Sequence, residues 1–411
     1  MRSKPNLVTA SENHMADGLL KGIRALEIGE GVSVPYCGKI LAQLGAEVVK
    51  VEPLEGDIAR RMGPFPGDEP HPEKSGVFLA LNANKHGVTV DIDAEGCPDA
   101  IRRLARASDI VIESMPIGWL DERQLGYAHL IKDNPALIMT SLSPFGTWGP
   151  YAGYRLTELT LFHMSGQAHS LLGPVSDTDS EPPIRAGGHQ AELVAGMSAA
   201  TATLMALFRR RMSGEGCHIQ SSAYEAMATH LISALASCAF DQSPPSRSIS
   251  EVREAATGGV VSAVGGILPC NDGYVAISPR EDAQWQRWVE LMGNPDWASE
   301  DRFLTRGGRE GNFAALWELV GDWTRHRSKH DIARMGQERR IPCFPVNTVH
   351  DLFNDLHLKE RGFFKTIEHP IAGALQYPGT PYNLPSTPLP LAERPAPLLG
   401  QHNEIYLRED A

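Results

Sequence analysis

The chain has no stretch approaching the ~18 consecutive apolar residues of a membrane span. Its N-terminus, Met1 to Gly18, is polar, unlike the charged-then-apolar start of a secretory signal. Together these absences lead to the expectation of a soluble, cytoplasmic protein with no membrane partner. Positive charge is also scarce: 38 Lys and Arg stand against 50 Asp and Glu, a net charge of −12. A general nucleic-acid binder needs a basic face to replace the counterions on phosphate, so no nucleic-acid partner is expected. The six cysteines, Cys37, Cys97, Cys217, Cys238, Cys270 and Cys343, form no C-x-x-C pair and have no zinc-like spacing to histidine. They read as reduced, small apolar residues, and no metal is expected. Neither the phosphate-loop pattern G-x-x-x-x-G-K-[ST] nor H-E-x-x-H nor G-x-S-x-G occurs, which argues against P-loop, zincin and serine-hydrolase chemistry.

What remains is a chain of 411 residues, 42% hydrophobic and 21% charged, with the composition of an ordinary globular protein. That length suggests two domains, or one large domain carrying an insertion. Ile23 to Ile28 reads as a buried strand, Tyr36 to Leu44 as a helix and Ala46 to Val51 as a second strand, a unit of the parallel α/β type. Val88 to Ile92, Ile110 to Ile112 and Leu137 to Leu142 continue the strands, with Ala100 to Ala107 helical between two of them. The front half is therefore expected to be a twisted sheet with helices on both sides. Such sheets often bind dinucleotides. Here the loop Gly29-Glu30-Gly31-Val32-Ser33-Val34-Pro35 lacks the third glycine and puts Pro35 where close helix approach is needed, so NAD binding is rejected.

Residues 191 to 211 read as an Ala-rich helix, followed by the turn Ser213-Gly214-Glu215-Gly216 and a strand-helix passage ending near Cys238. Gln242 to Gly266 is rich in Ser, Pro and Gly and reads as a long loop. A compact section from Ile267 to about Lys329 follows, with a strand at Tyr274 to Ile277 and core tryptophans Trp285, Trp288 and Trp323. The Pro-rich tail from Ile341 is expected to fold back over the first domain. One carboxylate stands out: Glu192 sits among small and apolar residues after Pro182-Pro183-Ile184-Arg185-Ala186-Gly187-Gly188-His189-Gln190-Ala191, at the mouth of the Ala-rich helix. A poorly solvated carboxylate is either salt-bridged or reactive. The plainer alternative is an acid that only complements the helix dipole.

Several blocks, in order and spacing, resemble the class III CoA-transferases of the CaiB/BaiF type. These are Gly22-Ile23-Arg24-Ala25-Leu26-Glu27, Leu44 to Pro53, Gly56-Asp57-Ile58-Ala59-Arg60, Asn82-Ala83-Asn84-Lys85 and Ser143-Pro144-Phe145-Gly146. Later blocks are Asp272-Gly273-Tyr274, Asp301-Arg302-Phe303, Ile341 to Val346 and Ala396-Pro397-Leu398-Leu399-Gly400. The resemblance runs from about Leu19 to Gly400. The family includes formyl-CoA transferase, the carnitine CoA-transferase and the α-methylacyl-CoA racemases. It implies an α/β fold with a large Rossmann-like domain built from both chain ends, 1–225 with 335–411 returning to it. A linker and smaller inserted α+β domain would occupy 226–334, and two subunits would interlock as a dimer.

The implied activity is transfer of coenzyme A between an acyl-CoA such as succinyl-CoA and a free carboxylic acid. Coenzyme A enters as substrate, and no cofactor is bound permanently. The family's nucleophile is an aspartate before the Ala-rich helix. Counting back from Ser213-Gly214-Glu215-Gly216, which resembles the family's Thr-Gly-x-Gly, the matching residue is Glu192. Glutamate in place of aspartate leaves two readings open. It can do the same chemistry on a longer stem, or the chain is the non-catalytic subunit of a heteromer whose partner supplies the aspartate. Members acting on benzylsuccinate or malate resemble the second arrangement. By the same resemblance Arg60, Arg61, Asn84, Lys85, His86 and Tyr154 would meet the nucleotide or the thioester arm, each also readable as a plain loop residue. Glu113-Ser114-Met115-Pro116-Ile117-Gly118 lacks the family's usual Asn and Arg. The glycines from Gly258 to Gly266 would close over the acyl group, or serve only as a linker. A racemase is disfavoured, because its histidine base falls where this chain has Tyr154.

Overall fold

Short apolar strands alternate with helices through the front of the chain in the computed structural model, which describes residues 18–171, 177, 180–240, 242, 266–279, 281–390 and 394–408. First come β1 (Arg24–Ile28), α1 (Ser33–Gln43), β2 (Glu47–Glu52), α2 (Gly76–Asn82), β3 (Lys85–Thr89) and α3 (Cys97–Arg106). They are followed by β4 (Ile110–Glu113), the single turns α4 (Trp119–Glu122) and α5 (Tyr127–Leu130), and β5 (Ile138–Ser143). Then come α6 (Glu158–Met164), the turn α7 (Gln167–Ser170), the long helix α8 (Gln190–Ser213), β6 (Cys217–Ser222) and α9 (Ala223–Ala228).

The six strands form one parallel sheet in the order β3-β2-β1-β4-β5-β6. Covered on both faces, β1, β2 and β4 bury nearly every residue, which is why they read as continuous apolar runs rather than alternating ones. Leu26, Val49, Val88 and Val111 pack on one face against Ile101 and Leu104 of α3. The strand order reverses between β1 and β4, and the crevice at their carboxyl ends is where such sheets hold ligands. One strand departs from expectation: β3 begins at Lys85, three residues before the apolar run. The polar start Lys85-His86-Gly87 reads as loop by pattern, yet it pairs with Val48, Val49 and Lys50 of β2.

Helix α8 is long and apolar enough by composition to cross a membrane, but its small residues are used inside the fold. Ala191, Ala195, Ala199 and Thr203 recur every four residues as a buried stripe. Thr203 Oγ1 lies 2.7 Å from Thr140 Oγ1 of β5, fixing the helix to the sheet.

The chain divides into two compact units. The first comprises Met1–Ala168, Arg185–His230 and Glu360–Ala411; the second comprises His169–Ile184 and Leu231–Lys359. In the second, α10 (Ile232–Ala239) precedes β7 (Gly266–Cys270), β8 (Gly273–Ile277), α11 (Asp282–Leu291), α12 (Asp301–Leu304) and α13 (Arg306–Gly311). It continues with α14 (Phe313–Arg325), α15 (Lys329–Glu338) and β9 (Cys343–Pro345). Its strands form an antiparallel sheet in the order β7-β8-β9 around a core of Trp285, Trp288, Phe303, Leu316 and Ile332. The first unit closes with the antiparallel hairpin β10 (Phe364–His369) and β11 (Gly373–Pro378). The expected loop Gln242 to Gly266 and its glycines lie outside the described residues, apart from Gln242 and Gly266.

Candidate active site

The first N–H groups of a helix have no acceptor within the helix and need one from elsewhere. For α8 that acceptor is Glu158, the first residue of α6. Its Oε1 accepts from the backbone N of Ala191 at 3.1 Å and its Oε2 from the backbone N of Glu192 at 3.0 Å. Glu158 is buried, so the backbone that carries Glu192 is gripped at two points by a shielded fork. The Glu192 carboxylate turns toward His189, with Oε2 2.8 Å from Nδ1. Among the described residues Oε1 has no hydrogen-bond partner, and a quarter of the side chain is exposed.

Burial pushes the Glu192 carboxyl above the usual carboxylate range; His189 opposes that shift and the charge of Glu158 adds to it. The result is a poorly solvated carboxylate with one oxygen steered by an imidazole and the other available, a geometry suited to attack on an electrophilic carbonyl. Glu158 was not singled out from the sequence. It lies 33 residues from Ala191, and only the fold brings them together.

One turn past Glu192, Gly196 lets α8 approach α1. A Cβ at this position would lie 2.3 Å from the Ser33 carbonyl oxygen and 3.1 Å from Tyr36 Cβ. This contact sets the start of α8 beside the loop that leaves β1 at the crevice. A cavity of about 770 Å³ runs along these helices, walled by α1, α2, α8 and the segment from Pro378 to Tyr382. His189 and Leu193, flanking Glu192, form part of its wall.

The residues expected to hold the nucleotide lie in different settings. Arg60 is 1% exposed and all its donors are committed. Nε and one terminal nitrogen grip Glu52 at 2.7 and 2.9 Å, the other meets Glu73 at 2.8 Å, and the carbonyls of Pro72 and Pro397 take the rest. Lys85, also 1% exposed, gives its three protons to Glu27, Asn82 and the Pro35 carbonyl at 2.7 to 2.9 Å. Neither has a donor left for phosphate. Asn84 has a φ of 67°, and its side chain accepts from the backbone N of Arg394 and donates to the Pro390 carbonyl, tying down the returning tail. Burial, reinforced by His402 and Arg394, pulls the His86 imidazole down to about 4, so it is neutral and supplies no cation. Arg61 remains exposed, with one contact to the Glu55 carbonyl at 3.4 Å. Tyr154 is exposed too, with its ring 5.1 Å from Tyr151 and 6.4 Å from Phe145.

Residues 20–403 match the family described as CoA-transferase family III. Among curated relatives, the chain is 32% identical over 386 residues to succinyl-CoA:(R)-benzylsuccinate CoA-transferase subunit BbsE of Thauera aromatica, covering 91% of this chain and 90% of that protein. It is 28% identical to succinate–glutarate CoA-transferase of Agrobacterium fabrum, with 95% of each covered. It is also 28% identical to the succinyl-CoA–L-malate CoA-transferase alpha subunit of Chloroflexus aurantiacus, covering 95% of this chain and 88% of that one. A crystal structure of a CAIB/BAIF family protein from Brucella suis superimposes with a TM-score of 0.82 at 30% identity, covering 94% of this chain and 98% of that one.

Proposed function

The chain belongs to CoA-transferase family III, and on that premise we propose that it moves coenzyme A from an acyl-CoA such as succinyl-CoA to a free carboxylic acid through Glu192. The observation that carries this reading is the geometry of that residue. It is a partly buried carboxylate, its backbone is fixed by Glu158, and one oxygen is steered by His189.

In the first step a Glu192 oxygen attacks the thioester carbonyl, the C–S bond breaks and CoA leaves as thiolate, forming a mixed anhydride on Glu192. The thiolate then attacks the glutamyl carbonyl, expels the donor acid and leaves a glutamyl-CoA thioester. The acceptor carboxylate attacks that thioester and releases the thiolate again. Attack of the thiolate on the acceptor carbonyl gives the new acyl-CoA and returns Glu192 as carboxylate. The raised pKa of Glu192 favours this cycle, because a carboxylate bound to little water is a better nucleophile once ionised.

A second reading rests on two facts: Glu192 stands where the family resemblance implies aspartate, and two relatives are named as subunits. In it, this chain is the non-catalytic half of a heteromer. Under either reading the subunits are proposed to interlock, with a related chain or a second copy. The test is to incubate the purified protein alone with succinyl-CoA and trap with hydroxylamine. A hydroxamate located at Glu192 by peptide mass supports the catalytic reading. An unmodified Glu192 across a panel of acyl-CoA donors supports the heteromeric one.

A further inference from the structure

The CoA-transfer reading gives no part to Lys39, a buried charge of a different kind from the paired ones. Lys39 stands on α1 with 8% of its surface exposed, and among the described residues no acid, carbonyl or hydroxyl is paired with its ammonium. Burial with no compensating partner pulls that ammonium down to about 8. An isolated buried charge is costly to keep, and this one belongs to the wall of the 770 Å³ cavity beside Glu192. The rest of the wall is largely apolar, with Ile40, Val77, Leu193, Met197 and Leu204 among its residues.

Two contacts show how α1 and α8 run along the groove. Gly196 abuts Ser33 and Tyr36, and farther along both helices Thr203 lies beside Cys37, so the helices advance in the same sense. Glu192 lies four residues before Gly196 and Lys39 three residues beyond Tyr36. At about 1.5 Å of rise per residue, the two side chains are anchored roughly 10 Å apart along the groove.

We propose that this cavity is the acyl pocket of the chain and takes a dicarboxylic acid with a long apolar body, one carboxyl reacting at Glu192 while Lys39 binds the other. This rests on the CoA-transfer reading above. A phosphate of coenzyme A fits the pocket poorly, since a single ammonium in an apolar wall does not balance its charge. A short acid would leave most of the space empty, because pockets of about 300–1,000 Å³ suit ligands of drug size.

The test uses sebacate, an apolar dicarboxylate, and decanoate, its monocarboxylate of equal length. Binding of each to wild-type, Lys39→Met and Lys39→Arg protein is measured by calorimetry, beside succinyl-CoA-dependent formation of each acyl-CoA. The expected result is that wild type binds sebacate about tenfold or more tighter than decanoate, the worth of one charge-assisted hydrogen bond. Lys39→Met should erase the preference and Lys39→Arg should keep most of it. Equal affinity in the wild type, or a preference that survives Lys39→Met, overturns the proposal. So does binding of neither acid together with loss of self-association in Lys39→Met by sedimentation, which would make the groove a seat for a second copy. Lys39-dependent binding of sebacate without thioester formation keeps the pocket and refutes the transfer reading. Transfer to other acids without sebacate binding does the reverse.

Discussion

Two regions of the first unit withdraw charge from water, one wholly and one in part, and use it differently. Under β1 and β2, Glu27, Lys50, Glu52, Asp57, Arg60 and Lys85 are 0–1% exposed, and each ionic group meets another. Lys50 alone touches Glu27 at 3.1 Å, Asp57 at 2.7 Å and the Gly29 carbonyl at 2.9 Å. Burial works against its charge, but Asp57 and Glu27 outweigh it and hold the ammonium above the usual lysine range. Along the α1–α8 groove the accounts are left open. Among the described residues Lys39 has no partner, and Glu192 shares one oxygen with a histidine. Burial of a charged side chain therefore does not mark function here. What separates framework from chemistry is whether the partners are already present.

That contrast can be broken first at its reactive end. Glu192→Gln keeps the size of the side chain and removes the nucleophile. It is expected to lower acyl exchange by roughly three orders of magnitude or more, with the melting temperature little changed. Glu192→Asp shortens the stem by one methylene and should keep only part of the activity. Survival of full exchange in Glu192→Gln, followed by transfer of label from succinyl-CoA, would place the nucleophile on another chain.

The saturated end should respond in the opposite sense. Lys50→Met leaves Glu27 and Asp57 buried without their shared cation, and removing one partner of a buried pair costs about 3–5 kcal/mol. Arg60→Met, which strands Glu52 and Glu73, should fall in the same range. Urea unfolding monitored by circular dichroism reads both. A loss below about 1 kcal/mol, as for exposed pairs, would mean that this cluster is not the framework described here.

Glu158 sits between the two regions, because it is a framework residue that acts on the reactive one. In Glu158→Gln the amide accepts one N–H of α8 but turns a donor toward the other, so Glu192 shifts. A misplacement of about 1 Å can cost on the order of a hundredfold in rate, and a loss between ten- and a hundredfold in kcat is expected. The pH profile separates this from a purely structural effect. Transfer needs Glu192 ionised, and its pKa is raised, so wild-type activity should fall as pH drops through a value above the usual carboxylate range. Removing the like charge of Glu158 lowers that pKa, and the acid limb should move to lower pH.

The sheet was legible in the sequence because strands buried on both faces leave unbroken apolar runs. β1, β2, β4 and β5 stand within a residue or so of where pattern puts them. β3 was misplaced because its first residues are polar and its lysine is neutralised by a strand two positions away in the sheet. Glu192 was visible as a lone acid in small apolar surroundings, whereas Glu158 and Lys39 were not. An acid at a helix start and a lysine on a helix look ordinary until the fold shows what they face. The internal partners of Arg60 and Lys85 were hidden for the complementary reason. A basic residue in a polar stretch of sequence looks the same whether it awaits a phosphate or has already been claimed by Glu52 or Glu27, residues of other strands.

Arg60 and Arg61 bring the comparison down to neighbouring residues of one type in one turn, Ile58–Arg61. The first has every donor filled, and the second lies exposed with a single weak contact. If partner count is the right criterion, Arg61→Met should leave stability unchanged, since little is lost from the folded state. It should instead raise KM for succinyl-CoA by up to roughly fivefold, the scale of one exposed ion pair, with kcat and the KM of the acid unmoved. The effect should fade as salt is added, because an exposed contact to phosphate is screened over about 8–10 Å at physiological ionic strength. A drop in melting temperature, or an unchanged KM at low salt, would assign Arg61 to the same framework as its neighbour and leave the nucleotide to be held by backbone donors at the β1–β4 crevice.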